Sequence, residues 1–251
     1  MNEKRYTVLD ALRGFWIILM IFYHTLWDLV YMFDVNIPWF STTTAHIFQL
    51  SIRWAFILIS GFSWHLGRKK LKRSLIVIGA SVLISLITLI FTYDARILFG
   101  VLSLLGISML VAIPLDKVFS KIHPVVGILL MSALFILTYY IPRGYIGVGD
   151  FEFFKLPSFL YCNSITACFG FHPRGYYSAD YVPILPWIFM FFIGYFLYLF
   201  FKKYNILKVL KAFRVKPLEF IGRYSLIIYM VHQPWVYGIL LLIFKCFSGK
   251  I

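Results

Sequence analysis

Runs of about 20 apolar residues, each closed by polar residues, recur seven times along the chain, at roughly 14–33, 46–66, 74–92, 96–115, 123–141, 185–201 and 219–244. A helix rises about 1.5 Å per residue, so a run of this length crosses the roughly 30 Å hydrocarbon core of a bilayer. The pattern predicts an all-α fold, a polytopic membrane helix bundle of about seven spans. Gly100, Gly106 and Pro114 make the fourth run the weakest helix former, which a bundle interior tolerates when neighbours satisfy the freed backbone groups. No soluble module separates the runs, so one transmembrane domain over 1–251 is expected. The charged stretch before the first run lacks a small-residue cleavage site and predicts a retained helix rather than a removed signal.

Composition excludes an ordinary soluble domain: 61% of residues are hydrophobic, 20% are aromatic, and the mean hydropathy is +0.85. The net charge of +14 invites a nucleic-acid reading, but the placement of the cations opposes it. If the spans zigzag, sixteen Lys and Arg fall on the N-terminal side and six on the other. That asymmetry predicts a cytoplasmic N-terminus in a multi-pass protein of the plasma membrane, with no nucleic-acid partner. The basic side would also attract anionic lipid or a phosphorylated substrate.

Candidate chemistry is concentrated in the first run. His24 and Asp28 stand at i and i+4 of a helix and therefore share a face. Counted from Gly14, His24 lies about 15 Å and Asp28 about 21 Å into the bilayer. Titratable side chains at such depth are expensive, so they face a partner or a cavity and mark functional candidates. A carboxylate one turn from an imidazole can orient it and select its tautomer, which is half of a general-base machine. The second run descends from the far side and brings Arg53 about 10 Å below that surface, level with Asp28, where an ion pair is possible. The same three residues equally suit a plain lock between two helices.

In the seventh run, His232 and Gln233 precede Pro234, whose ring frees a backbone carbonyl one turn back. A polar, kinked segment at that depth lines a cavity. Arg223 suits either a phosphate contact or a snorkelling interfacial role. Before the sixth run, Asp180 and Tyr181 stand where they meet an external polar substrate or begin a capped helix anchored by Trp187. His172 and Arg174 add polar groups to the same external loop, and His46, His65 and His123 fit exposed or interfacial positions at span ends. The spacing of Cys162 and Cys168 permits a disulfide without demanding one, and no CxxC pattern suggests a metal.

Four blocks, in order, carry a resemblance. They are Leu9-Asp10-Ala-Leu-Arg13-Gly14 with His24 and Asp28; Arg96-Ile-Leu-Phe99-Gly100; Asp180-Tyr181-Val-Pro183-Ile-Leu-Pro186-Trp187; and Gly222-Arg-Tyr-Ser225 through His232-Gln233-Pro234. Together they resemble the bacterial proteins grouped with the heparan-alpha-glucosaminide N-acetyltransferase catalytic domain. The Asp-x-x-Arg pattern with a distal histidine is also similar to acyltransferase-3 membrane proteins. The chain departs from the eukaryotic lysosomal member, lacking a histidine in its later His-Ala-x-Trp stretch, and it has Ser103 where many relatives have a histidine.

The resemblance implies a transmembrane acyltransferase that takes an acetyl or other acyl group from cytoplasmic acyl-CoA to a sugar or glycan acceptor on the far side. On this reading His24 is the base or acyl carrier, Asp28 orients it and His232 supports it. Arg13 and Arg223 hold CoA phosphates, and Arg53, Asp180, Tyr181 and Gln233 contact substrate. Two other classes compete. One is a proton-coupled carrier or flippase in which His24 and Asp28 relay protons. The other is a haem-binding electron carrier with His24 and His232 as axial ligands.

Overall fold

The computed structural model describes residues 6–212 and 214–248. Its helices are α1 (Thr7–Tyr31), α2 (Thr43–Trp64), α3 (Lys70–Phe91), α4 (Val101–Phe119), α5 (Pro124–Thr138), α6 (Ile184–Lys203), α7 (Lys216–Arg223) and α8 (Ser225–Ser248). Among the described residues, seven helices are long and apolar enough to cross a membrane: all of these but α7, with α5 extended through Arg143. The chain is thus an all-α polytopic membrane bundle.

Two predicted spans are redrawn. The fourth begins at Val101 rather than 96, because Phe99 has φ 54° and Gly100 is extended, so a helix cannot run through them. Asp180 Oδ2 accepts the Val101 N–H at 3.3 Å and supplies the missing cap. The seventh divides at Tyr224, which leaves helical geometry at φ −99°, ψ 16°. Arg223 therefore ends the short helix α7 and lies outside the span that starts at Ser225.

A feature the apolar pattern did not predict lies in the loop between α5 and α6. Strands β1 (Tyr145–Val148) and β2 (Phe151–Lys155) form an antiparallel hairpin with a register shift at Ile146/Gly147. Gly149 takes φ 58° in its turn, a conformation that favours glycine. The aromatic, alternating residues on either side of Gly149-Asp150 were the available signal.

Backbone contacts group the chain into two compact units, one of residues up to Phe56 with those from Ile206 on, the other Ile57–Asn205. In the first unit α1 packs along α7 and α8. Gly14 and Gly222 make the α1–α7 contact: a Cβ on Gly14 would overlap the Leu218 carbonyl, and one on Gly222 the Asp10 carbonyl. Small residues let helices approach in lipid, where no hydrophobic force drives them together. Ile17, Met20 and Ile52 form the adjoining core, with Trp16, Phe48, Ile228 and Tyr229 against it.

In the second unit α3 pairs with α4 and α5 with α6. Gly61 and Gly194 repeat the reciprocal arrangement, each lying against the other helix's backbone. Trp64 and Tyr195, both fully buried, direct their polar atoms to partners: Trp64 Nε1 donates to the Met109 carbonyl at 3.1 Å, and the Tyr195 hydroxyl to Asp116 at 2.6 Å. Lys70 completes this group with an ion pair to Asp116 at 3.5 Å.

Candidate active site

In the first unit α1 and α8 bring together four of the residues singled out from the sequence. The imidazoles of His24 and His232 meet edge to face, with centroids 5.0 Å apart. Beside them Gln233 Nε2 donates to Asp28 Oδ1 at 2.5 Å. Asp28 is fully buried and His232 is 8% exposed, whereas His24 is only half-buried. The i, i+4 spacing on α1 thus faces two successive residues of α8, imidazole against imidazole and carboxylate against amide.

The site corrects two expectations about Asp28. Its carboxylate neither bonds His24 nor pairs with Arg53; its partner is Gln233. An amide donor satisfies a buried carboxylate without bringing a second charge into the low-dielectric interior, where desolvating an ion pair offsets much of its attraction. Arg53 instead lies within electrostatic reach of the Tyr23 phenol. Among the described residues Asp28 Oδ2 and Gln233 Oε1 are buried with no hydrogen-bond partner. Polar atoms buried this way are uncommon and costly, and they concentrate where a structure has work to do.

The tautomer of His232 follows from its neighbour. Nδ1 lies 2.6 Å from the Tyr229 carbonyl, which can only accept, so Nδ1 carries the proton and Nε2 is the basic nitrogen of the neutral ring. His24 makes no hydrogen bond among the described residues and keeps both nitrogens for other use. Two adjacent imidazoles, one half-buried and one with a set tautomer, can accept and pass a proton.

A family model described as heparan-alpha-glucosaminide N-acetyltransferase, catalytic, matches residues 5–234, most of the chain. The chain belongs to the heparan-alpha-glucosaminide N-acetyltransferase catalytic family. No curated protein and no solved structure gives a match. In this member of the acetyltransferase family the matched segment takes in His24, Asp28, His232 and Gln233, and it ends within α8 at Pro234.

The two cations expected to hold phosphate are both engaged with carboxylates of this family member's α1–α7 contact. Arg13 donates to Asp10 at 3.1 Å, and Arg223 pairs with Glu219 at 3.6 Å. Glu219, 2% exposed, also receives Arg214 at 3.2 Å. Neither Glu219 nor Arg214 stood out in the sequence: a single Glu between basic residues reads as a solvated charge until α7 turns it against α1.

Asp180 and Tyr181 belong to the second unit and have local duties there. Asp180 caps α4, and the Tyr181 hydroxyl donates to the Ala167 carbonyl at 2.6 Å. Tyr181 joins Tyr176 and His172 in an aromatic cluster with centroids 5.3 to 6.0 Å apart. Burial pushes the Tyr176 phenol up to about 12, and it raises Tyr181 as well, with Tyr176 adding to the effect. Cys162 and Cys168 are free thiols, and burial raises Cys168, which disfavours its reactive thiolate.

Proposed function

We propose that the protein transfers an acetyl or related acyl group from acyl-CoA, bound at the cytoplasmic mouth of α1, to a hydroxyl or amine of a sugar or glycan on the other side of the plasma membrane. The observation that carries this reading is the meeting of His24 and His232 within a chain of an acetyltransferase family. His24 removes the proton from the acceptor as its oxygen or nitrogen attacks the thioester carbonyl; the tetrahedral adduct then collapses, the C–S bond breaks, and CoA leaves as a thiolate that takes up the proton. His24 can alternatively carry the acyl group itself between the two substrates. His232, its Nδ1 proton held on Tyr229, supports the His24 ring, and Arg13 and Arg223 contact donor phosphates. Gln233 and Arg53 are the acceptor contacts of the first unit; Asp180 and Tyr181 are separate candidate acceptor contacts within the second.

A carrier that relays protons through the same unit draws support from the buried, unpartnered Asp28 Oδ2 and Gln233 Oε1. Consumption of thioester separates the two, because a carrier has no reason to cleave one. Purified protein given radiolabelled acetyl-CoA and an envelope extract should release CoA and label the glycan fraction, and His24→Ala should lower this at least about a hundredfold while acetyl-CoA still binds. Wild-type turnover in His24→Ala would move the chemistry elsewhere. No CoA release from the wild-type protein would leave the carrier.

A further inference from the structure

Glu219 is a buried charge of the first unit that no substrate role has yet explained. It is 2% exposed on a helix only eight residues long, and it binds two guanidiniums. Arg214 approaches it through both Nε, at 3.4 Å, and Nη2, at 3.2 Å, so the fork of Arg214 spans both carboxylate oxygens. Arg223, one turn after Glu219, reaches the same Oε2 at 3.6 Å. One carboxylate shared by two guanidiniums leaves an excess positive charge. The side chains of Arg214 and Arg223 remain 61% and 42% exposed, so each presents its remaining N–H groups outward.

The surroundings reinforce that excess. Gly222 rests on the Asp10 carbonyl, which sets the Glu219 group beside the Asp10–Arg13 pair on the same contact of α1 with α7. Lys211 lies over the Tyr6 ring, 4.9 Å from its centroid, Lys208 precedes it by one turn, and Lys216 opens α7. Among the described residues of 206–223, five are cations (Lys208, Lys211, Arg214, Lys216 and Arg223) and one is a carboxylate, the buried Glu219. Burying a glutamate is costly, and an apolar residue would dock α7 at least as well. A buried acid that fixes two exposed arginines makes physical sense where the arginines must be held in advance for an anion.

We infer that Arg214 and Arg223, held by Glu219, form a binding site for a phosphate-bearing ligand, and that Glu219 acts as its positioning residue. Taken with the acyltransferase reading, on which this identification of the ligand rests, the phosphates are those of the nucleotide end of the acyl donor. An anionic lipid headgroup offers the same chemistry from another source.

The test uses the full-length protein in nanodiscs of neutral lipid and of lipid with 30% phosphatidylglycerol, a composition chosen at roughly the anionic content that produces a strong surface potential. Binding of adenosine 3′,5′-bisphosphate, the nucleotide end of CoA, is measured by calorimetry, and turnover is compared for acetyl-CoA and acetyl-pantetheine, which lacks the nucleotide. The wild-type protein should bind the bisphosphate in neutral nanodiscs. Glu219→Gln and Arg214→Ala should each weaken that binding about tenfold, the worth of one charge-assisted hydrogen bond. They should raise KM for acetyl-CoA while leaving acetyl-pantetheine turnover unchanged, whereas Glu219→Asp should recover part of the loss. A merely structural role for Glu219 would lower turnover of both thioesters together, and that result overturns the proposal. So does unchanged bisphosphate binding in well-folded Glu219→Gln and Arg214→Ala. Bisphosphate binding that vanishes in neutral nanodiscs, with phosphatidylglycerol retained by the wild type and lost in Arg214→Ala, assigns the site to lipid and overturns the donor identification alone. If the bisphosphate binds as expected but no thioester is consumed, the phosphate site stands and the acyltransferase reading falls.

Discussion

Asp28 on α1 and Gln233 on α8, 205 residues apart in the chain, are joined by a 2.5 Å hydrogen bond from the Gln233 amide to a carboxylate with no exposed surface. This bond ties the chemistry-bearing side of α1 to α8. It also explains how a carboxylate is tolerated there without a cation.

The pair should be energetically coupled. Gln233→Ala strands a buried carboxylate and is expected to cost about 1–3 kcal/mol. Asp28→Asn keeps the shape but weakens the acceptor, and the double variant should lose less than the two single losses combined. Thermal unfolding in detergent measures the cycle; strictly additive losses would show that the bond contributes nothing specific.

His24 and His232 should differ in how much activity depends on them. Replacing His24 by Ala should reduce thioester turnover at least about a hundredfold, while His232→Ala should reduce it only partly, by about tenfold, through a looser neighbour. The check is kcat measured separately from KM, since the proposed donor contacts, Arg13 and Arg223, are touched by neither change. A larger loss from His232 than from His24 would exchange their roles.

Glycine substitutions should report where helices touch. Ala at Gly14 or Gly222 places a methyl on the opposing backbone and is expected to cost at least about 1–3 kcal/mol, because backbone cannot swing aside as a side chain can. Ala at Gly79, with nothing within 4 Å of the new methyl, should be neutral or stabilise α3 by up to about 1 kcal/mol. Midpoints of thermal unfolding rank the three variants directly.

Asp180→Ala should destabilise the start of α4 by about 0.5–2 kcal/mol, the usual worth of a helix cap. Hydrogen exchange at Val101 and its neighbours should rise in this variant. Exchange that stays at the wild-type level there would remove Asp180 from the capping role.

Alkaline pH should loosen the loop between α5 and α6. The Tyr176 phenol is raised from 10.0 to about 12 by burial, and Tyr181 is raised too, so the folded state favours both neutral phenols. Their stabilisation is complete below pH 10, where the unfolded chain also keeps its protons, and it is lost as pH climbs from about 10 toward 12. Phenolate absorbance should appear late for these two residues, and Tyr176→Phe should flatten the decline in stability over that window.

The amino-acid sequence by itself determined the seven apolar helices, the all-α membrane class, and the placement of His24 and Asp28 on one face of α1. Run length and helical period are local properties, written into neighbouring residues and enforced by the lipid around them. Only the tertiary structure decided that Asp28 meets Gln233 rather than Arg53, that His24 meets His232, that Arg223 shares a buried Glu219 with Arg214, and that Asp180 caps α4. Each of these depends on how far a helix is rotated and where it crosses its neighbour. At the α1–α7 contact, that crossing is set by backbone packing at Gly14 and Gly222, whose partners lie some two hundred residues away in the chain. The break at Tyr224 belongs to the same class, because the apolar run continues through it and the hydropathy pattern does not mark it. Hydropathy records how deep a residue can sit, and it carries no information about which direction the side chain points once it is there.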